Sequence, residues 1–168
     1  MGGDQGDREI REGFRLDDSL TERVIGALIE VHRHLGPGVL ESAYEECLCH
    51  ELSLRGIAFR RQVSIPVEYK GVRLDCGYRA DLVVDGRVLV ELKTVDALHP
   101  IHRAQVSTYL KLAGVEIGLV VNFNVMSIRR GLRRVERKNT ASPSLISRSL
   151  DLPPKGGAPS SDHRTNKR

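Results

Sequence analysis

Glu91 and Lys93 flank Leu92 in the string VLVELKTV, and Asp81 stands ten positions before Glu91. Side chains two apart on a β-strand leave the same face, so Glu91 and Lys93 project together if this stretch is extended. Their neighbours Val88, Leu89, Val90 and Leu92 are apolar, which implies burial. A buried charge is costly unless it is paired or bound to metal. A divalent ion held by Asp81, Glu91 and the Leu92 carbonyl offsets that cost while polarising a phosphodiester and activating water. Lys93 is then placed to position the attacking water or to stabilise phosphorane charge. On spacing alone, a structural Glu91 to Lys93 ion pair competes with this reading, because a D-x9-ExK pattern arises by chance in charged chains.

Such a cluster needs a sheet to carry it and helices to cover it. Val24, Ala27, Leu28, Val31 and Leu35 recur at helical intervals after a Ser19/Glu22 capping-box spacing, predicting a helix from Leu20 to Leu35. Gly36-Pro37-Gly38 interrupts it, and a second helix is predicted from Leu40 to Arg55, ending at Gly56. From Val63 the period becomes two, with Val63, Ile65, Val67 and Tyr69 on one face of a strand. Lys70-Gly71 turns the chain into a second strand through Leu74 and Tyr78, and a third covers Ala80 to Val84. Asp85-Gly86 leads into a central strand, Val88 to Lys93. A helix opening at Pro100 and stopping at Gly114 carries Gln105 and Tyr109 four apart on one face. A buried strand follows at Ile117 to Asn122, and the basic segment Ser127 to Val135 offers an edge strand that Gly131 keeps short.

The hairpin sets a geometric condition on the site. A two-residue turn at Asp85-Gly86 pairs Ala80 with Glu91 and sends Asp81 and Glu91 to opposite faces, where one metal cannot take both. A three-residue loop over Asp85, Gly86 and Arg87, with Gly86 or Arg87 left-handed, pairs Asp81 with Glu91 instead. A bulge or bend near Asp81 also serves. One of these devices is therefore expected between Ala80 and Glu91.

The 168 residues suit one domain with extensions, here a flexible leader at 1 to 17, a domain at 18 to 138 and a disordered basic tail at 139 to 168. With 40% apolar and 29% charged residues the composition is that of an ordinary globular chain. The longest run without charge, Ile117 to Ile128, has 12 residues, too few for a membrane helix. The first residues carry no apolar signal-peptide core, so the cytoplasm is the expected compartment. Cys47, Cys49 and Cys76 lack paired zinc-site spacing and are expected to be buried or half-buried, and the six His are scattered. Residues 127 to 168 hold 11 basic and 3 acidic side chains against 15 and 19 in residues 1 to 126, so the positive charge belongs to the C-terminal end. Such an end attracts phosphate or is simply solvated. Aromatic residues make up 4%, too few for an extended base-stacking platform.

The string Gly38-Val39-Leu40-Glu41-Ser42-Ala43-Tyr44 resembles the signature of the GxxExxY protein family, a branch of the PD-(D/E)XK nuclease superfamily. The resemblance continues through YKG at Tyr69, DLVV at Asp81, VELK at Val90, AQVSTYLK at Ala104 and GLVVNF at Gly118, covering residues 20 to 135. It implies a restriction-endonuclease-like αβββαβ core, a mixed central sheet flanked by helices, with Asp81, Glu91 and Lys93 at the catalytic positions. It also makes Glu41 an additional acidic residue directed from a helix toward the metal, where position alone suggests only a carboxylate favoured near a helix N-terminus. The spacing of Gln105 and Tyr109 is similar to the QxxxY motif of RecB-like nucleases, and the competing reading is a polar helix edge packed on the sheet. Ala80 precedes Asp81 where the superfamily's name records proline.

These readings lead to an expected Mg2+- or Mn2+-dependent nuclease acting on DNA, in repair, defence or mobile-element biology. The alternative is a non-catalytic nucleic-acid or protein-binding module that keeps the fold, or an accessory protein whose cluster binds metal for stability alone. Two carboxylates beside a phosphate favour the enzyme, because binding a polyanion does not require them.

Overall fold

A computed structural model describes residues 19–138. The expected leader and tail lie outside the described residues. Helix α1 (Ser19–Leu35) and helix α2 (Glu41–Leu54) come first. Strand β1 (Phe59–Ser64), the short strands β2 (Val67–Tyr69) and β3 (Val72–Leu74), and strands β4 (Arg79–Val84) and β5 (Val88–Lys93) follow. Helix α3 (Pro100–Ala113), strand β6 (Ile117–Asn122), the one-turn helix α4 (Ile128–Gly131) and strand β7 (Leu132–Glu136) come last among the described residues.

Five strands form one mixed sheet in the order β1-β4-β5-β6-β7. The β5 and β6 pair is parallel, with Lys93 level with Asn122, and every other pair is antiparallel. The parallel step requires a crossover, which α3 provides. Val24, Leu28, Leu48 and Leu52 of α1 and α2 cover one face, against Leu82, Val84, Val90 and Leu92. Val106, Tyr109 and Leu110 of α3 cover the other, against Val83, Leu89 and Val120. With both faces covered, β5 is buried from Val88 to Leu92, as its unbroken apolar run anticipates. α3 lies so close to β6 that a Cβ on Gly118 would stand 2.4 Å from the Val106 side chain.

The first strand departs from expectation. The period-two run from Val63 to Tyr69 is two elements, because the chain leaves the sheet after Ser64 and Pro66 lies in the break. The paired strand begins earlier, at Phe59, in a segment whose Arg60, Arg61 and Gln62 do not read as buried sheet. As an edge strand with mostly exposed side chains, β1 needs no apolar alternation. β2 and β3 form a separate hairpin, turned at Lys70-Gly71 with both residues left-handed. The basic segment gives an edge strand only from Leu132. Gly131 ends the preceding helical turn where a Cβ would meet the Asn122 carbonyl oxygen at 2.1 Å. Cys49 is buried, whereas Cys47 and Cys76 are exposed rather than half-buried, and all three are free thiols.

Candidate active site

The loop between β4 and β5 has three residues. Val84 pairs with Val88, Val83 with Leu89 and Leu82 with Val90. The Arg87 N–H closes a turn onto the Val84 carbonyl at 3.0 Å, and the left-handed residues are Asp85 and Gly86. Arg87 is thus the odd residue that shifts the register by one from a two-residue hairpin. Continued along the strands, this register sets Asp81 opposite Glu91, on one face. The chain is also bent here, since Leu82 and Val84 join the core beneath α1 and α2, while Ala80 joins the core beneath α3. Strict alternation is lost beside Asp81.

At the carboxyl end of β5, Asp81 replaces its own strand as the partner of the backbone. The Leu92 N–H donates to Asp81 Oδ2 at 2.8 Å. The Leu92 carbonyl leaves a strand on the same side as the Leu92 N–H, so it also faces the Asp81 side. Glu91 is 3% exposed, and its Oε1 accepts a hydrogen bond from Lys93 Nζ at 2.7 Å. Its Oε2 is buried without any hydrogen-bond partner. Burial, then the nearby Asp81 charge, push the Glu91 carboxyl up to about 7, outweighing the relief from Lys93. Burial likewise raises Asp81, against the Leu92 N–H and the Lys93 charge. Burial acts to lower Lys93, but the Glu91 hydrogen bond and the charges of Glu91, Asp81 and Glu41 reverse the balance and hold it up.

Glu41 reaches the same cluster from the first turn of α2. Its carboxyl is raised by burial and by Asp81, and lowered by Lys93 and by a hydrogen bond from the Thr94 backbone. The spacing Gly38, Glu41, Tyr44 has a visible mechanical basis. The buried Tyr44 donates its hydroxyl proton to the Gly36 carbonyl and accepts from the Val39 N–H at 3.3 Å. Its ring stacks on Phe123 at 4.3 Å. Gly36 and Gly38 take the left-handed turns that bring the chain back to α2. Tyr44 therefore ties the loop to the first turn that carries Glu41. From the other side Asn122 fixes the segment after Lys93. Its side chain accepts from the Val95 and Asn124 N–H groups, both at 3.1 Å, and donates to the Val95 carbonyl at 2.7 Å.

Two participants were not anticipated. Gln62, opposite Asp81 in the β1 register, has a left-handed backbone, φ 48°, in the middle of a strand. Its Nε2 donates to Glu45 Oε2 at 2.8 Å, and its side chain also hydrogen-bonds Asp81. Glu45, one helical turn beyond Glu41, is nearly buried and accepts from Arg61 Nε at 2.9 Å. The i,i+4 spacing of Glu41 and Glu45 was the available signal for the second carboxylate. Nothing local to Gln62 announces its role.

Gln105 and Tyr109 meet each other, Nε2 to hydroxyl at 2.8 Å, and Tyr109 lies 5.9 Å from the Tyr78 ring. Neither makes a hydrogen bond to Asp81, Glu91 or Lys93. The pKa of His102 is lowered, first by burial and then by the Lys93 charge.

Among the described residues no group of three or more His, Cys, Asp and Glu side chains is gathered so as to hold a metal ion. Asp81, Glu91 and Glu41 thus do not form a ready cage. Like charges do not converge unaided, and each carboxylate has a separate donor in Leu92, Lys93 or Thr94. The donor set nevertheless fits a hard divalent ion. Mg2+ takes one or two carboxylates and completes its shell with water and phosphate oxygens, and Glu91 Oε2 is a buried acceptor with nothing to accept.

No curated protein matches the chain. Among solved structures it is similar to the crystal structure of SSO0001, at 16% identity and a TM-score of 0.38, with 80% of this chain and 76% of that chain covered. That overlap is too loose to carry an argument. The family model for the PD-(D/E)XK nuclease superfamily matches residues 18–135, most of the chain, and the five-stranded mixed sheet with helices on both faces agrees with a restriction-endonuclease-like fold. The chain belongs to the PD-(D/E)XK nuclease superfamily.

Proposed function

We infer that the protein is a Mg2+- or Mn2+-dependent nuclease that hydrolyses DNA phosphodiester bonds, and that it belongs to the GxxExxY branch of its superfamily. The observation that carries this is the Glu91 carboxylate. One oxygen is held by Lys93, the other is buried and unsatisfied, and Asp81 is near enough to raise its pKa. A buried acid among other acids is a costly arrangement for stability alone.

In this reading Asp81 and Glu91 are metal ligands, joined by Glu41. The chemistry that a divalent ion supplies when bound to such oxygens is Lewis-acid polarisation of a phosphodiester and a lowered pKa of water. Lys93 keeps its proton and its place through Glu91 Oε1, which suits a cation facing phosphorane charge and not a base. The Leu92 N–H holds Asp81 in position. Gln105 and Tyr109, already bonded to one another, serve as an orienting pair beside the substrate strand.

The test is cleavage of labelled linear, circular, single-stranded and duplex DNA with Mg2+ or Mn2+, against a chelator control. Asp81→Ala and Glu91→Ala should each abolish metal-dependent cleavage and leave the folded circular-dichroism spectrum unchanged. No cleavage of any substrate by the purified wild type, or undiminished cleavage by either variant, overturns the assignment. Binding without cleavage by the wild type is the result expected of a non-catalytic module.

A further inference from the structure

Between the first turns of α3 and the edge strand β7 lies a cleft of about 690 Å3, within the size range of ligand sites. Arg103 reaches it from α3, and Arg133, Arg134 and Lys138 from β7 and the residues just after it. Its one acidic wall residue, Glu136, is already paired with Arg134 at 3.1 Å. The side chains of Arg103 and Lys138 are exposed and make no hydrogen bond or ion pair with any described residue. Cations gathered from two elements around one cleft repel each other, and a polyanion relieves that repulsion. No Phe, Tyr or Trp lines the cleft, so it offers charge to a backbone and no platform for bases.

The cleft is linked toward the carboxylate cluster through two histidines. His99 lines it and donates its backbone N–H to His102 Nδ1 at 3.1 Å, with the two rings 5.9 Å apart. His102 in turn lies within the field of Lys93. The two histidines form a shoulder between the cations of the cleft and the Lys93 end of the site.

We propose that this cleft holds the sugar–phosphate backbone of the nucleic acid to one side of the scissile bond, its phosphates taken by Arg103, Arg133, Arg134 and Lys138. The assignment rests on the nuclease reading for the scissile bond, but backbone binding is measurable without it. A strand laid there passes over His99 and His102 to reach Asp81 and Glu91.

The experiment uses the full chain and the variants R103A/K138A and R103E/K138E, since neither side chain is bonded within the described fold. Affinity for duplex DNA and for duplex RNA of the same sequence is measured by fluorescence anisotropy over a salt series without divalent metal. Hydrolysis of bis(4-nitrophenyl) phosphate with Mn2+ is measured in parallel, because that small diester needs only the carboxylate centre. R103A/K138A should weaken DNA binding about tenfold at low salt and flatten the slope of log affinity against log salt by about 2, as two lost phosphate contacts require. R103E/K138E should weaken binding further, with hydrolysis of the small diester unchanged in both. An equal loss on RNA assigns the cleft to any A- or B-form backbone, and a loss on DNA alone assigns it to DNA. Unchanged affinity and slope overturn the proposal, as does loss of small-diester hydrolysis in parallel with binding. Cleft-dependent binding by a wild type that hydrolyses neither substrate sustains the cleft and defeats the nuclease reading.

Discussion

Lys93 Nζ donates to Glu91 Oε1 at 2.7 Å from the same strand face, and the Glu91 side chain is 4% exposed while that of Lys93 is 17% exposed. This one bond does not keep Glu91 ionised at low pH, because burial and Asp81 together hold its pKa near 7. A carboxyl whose folded pKa lies above its unfolded value favours the fold when protonated. Its stabilising contribution is full below about 4.5 and is lost as pH rises through about 7. Asp81 and Glu41 are shifted in the same direction. The metal-free protein should therefore lose stability between about pH 4.5 and pH 7, by up to roughly 3 kcal/mol from Glu91. Chemical denaturation with a chelator present measures it. Glu91→Gln should flatten the dependence, and Mg2+ should restore more stability at pH 8 than at pH 5, where a proton competes for the ligand. Identical pH profiles for wild type and Glu91→Gln rule the explanation out.

Lys93→Ala separates catalysis from metal binding. Removing the ammonium takes away positive charge beside the carboxylates, so metal affinity should hold or rise while turnover falls by at least about a hundredfold. Calorimetric titration with Mn2+ beside single-turnover cleavage checks this. Parallel loss of affinity and rate shows that Lys93 organises the ligands and has no separate part in turnover.

What the sequence disclosed follows from the range of the forces involved. The Glu91, Leu92, Lys93 strand and its burial were readable because they are local, and the register condition on Asp81 could be worked out by counting through the hairpin. The loop met that condition with Asp85 and Gly86 left-handed, so Gly86 was anticipated and Asp85 was not. β1 was misplaced because an edge strand facing solvent has no periodic signal, and its Arg61 is settled by Glu45 and Glu46 on a helix 15 or 16 residues earlier. The burial of Glu45, in ESAYEECL, has no local signal. Its burial depends on β1, which the pattern from Val63 onward concealed.

Tyr44→Phe tests whether the tyrosine clamp serves Glu41. The substitution keeps the stack on Phe123 and deletes the hydroxyl bonded to Gly36 and Val39. Stability should drop by about 1–2 kcal/mol, since two part-buried backbone groups lose a partner. Cleavage at saturating metal should fall less than the apparent affinity for metal, because Glu41 is left in place but loosely held. Thermal denaturation and a Mg2+ titration of rate provide both numbers. A variant that loses stability with unaltered metal dependence shows that the clamp serves the fold alone.

The last prediction concerns Gln62, whose backbone and side chain make opposite demands. A left-handed residue other than glycine costs about 1–2 kcal/mol. The cost is borne in mid-strand directly across from Asp81, where a regular extended residue would fit the ladder. In return the amide reaches both Glu45 and Asp81, joining the α2 acids to the sheet acid. Gln62→Gly removes the backbone cost and the amide together, so stability should change by less than about 1 kcal/mol as the two effects offset. Cleavage should nevertheless fall about tenfold or more, because Asp81 loses a hydrogen bond that orients it and that energy enters the rate directly. Gln62→Ala keeps the strain and loses the amide, so it should be both less stable and equally impaired. If Gln62→Gly cleaves at the wild-type rate, the Gln62 amide has no part in placing Asp81, and the bend in β4 alone must bring that carboxylate to Glu91.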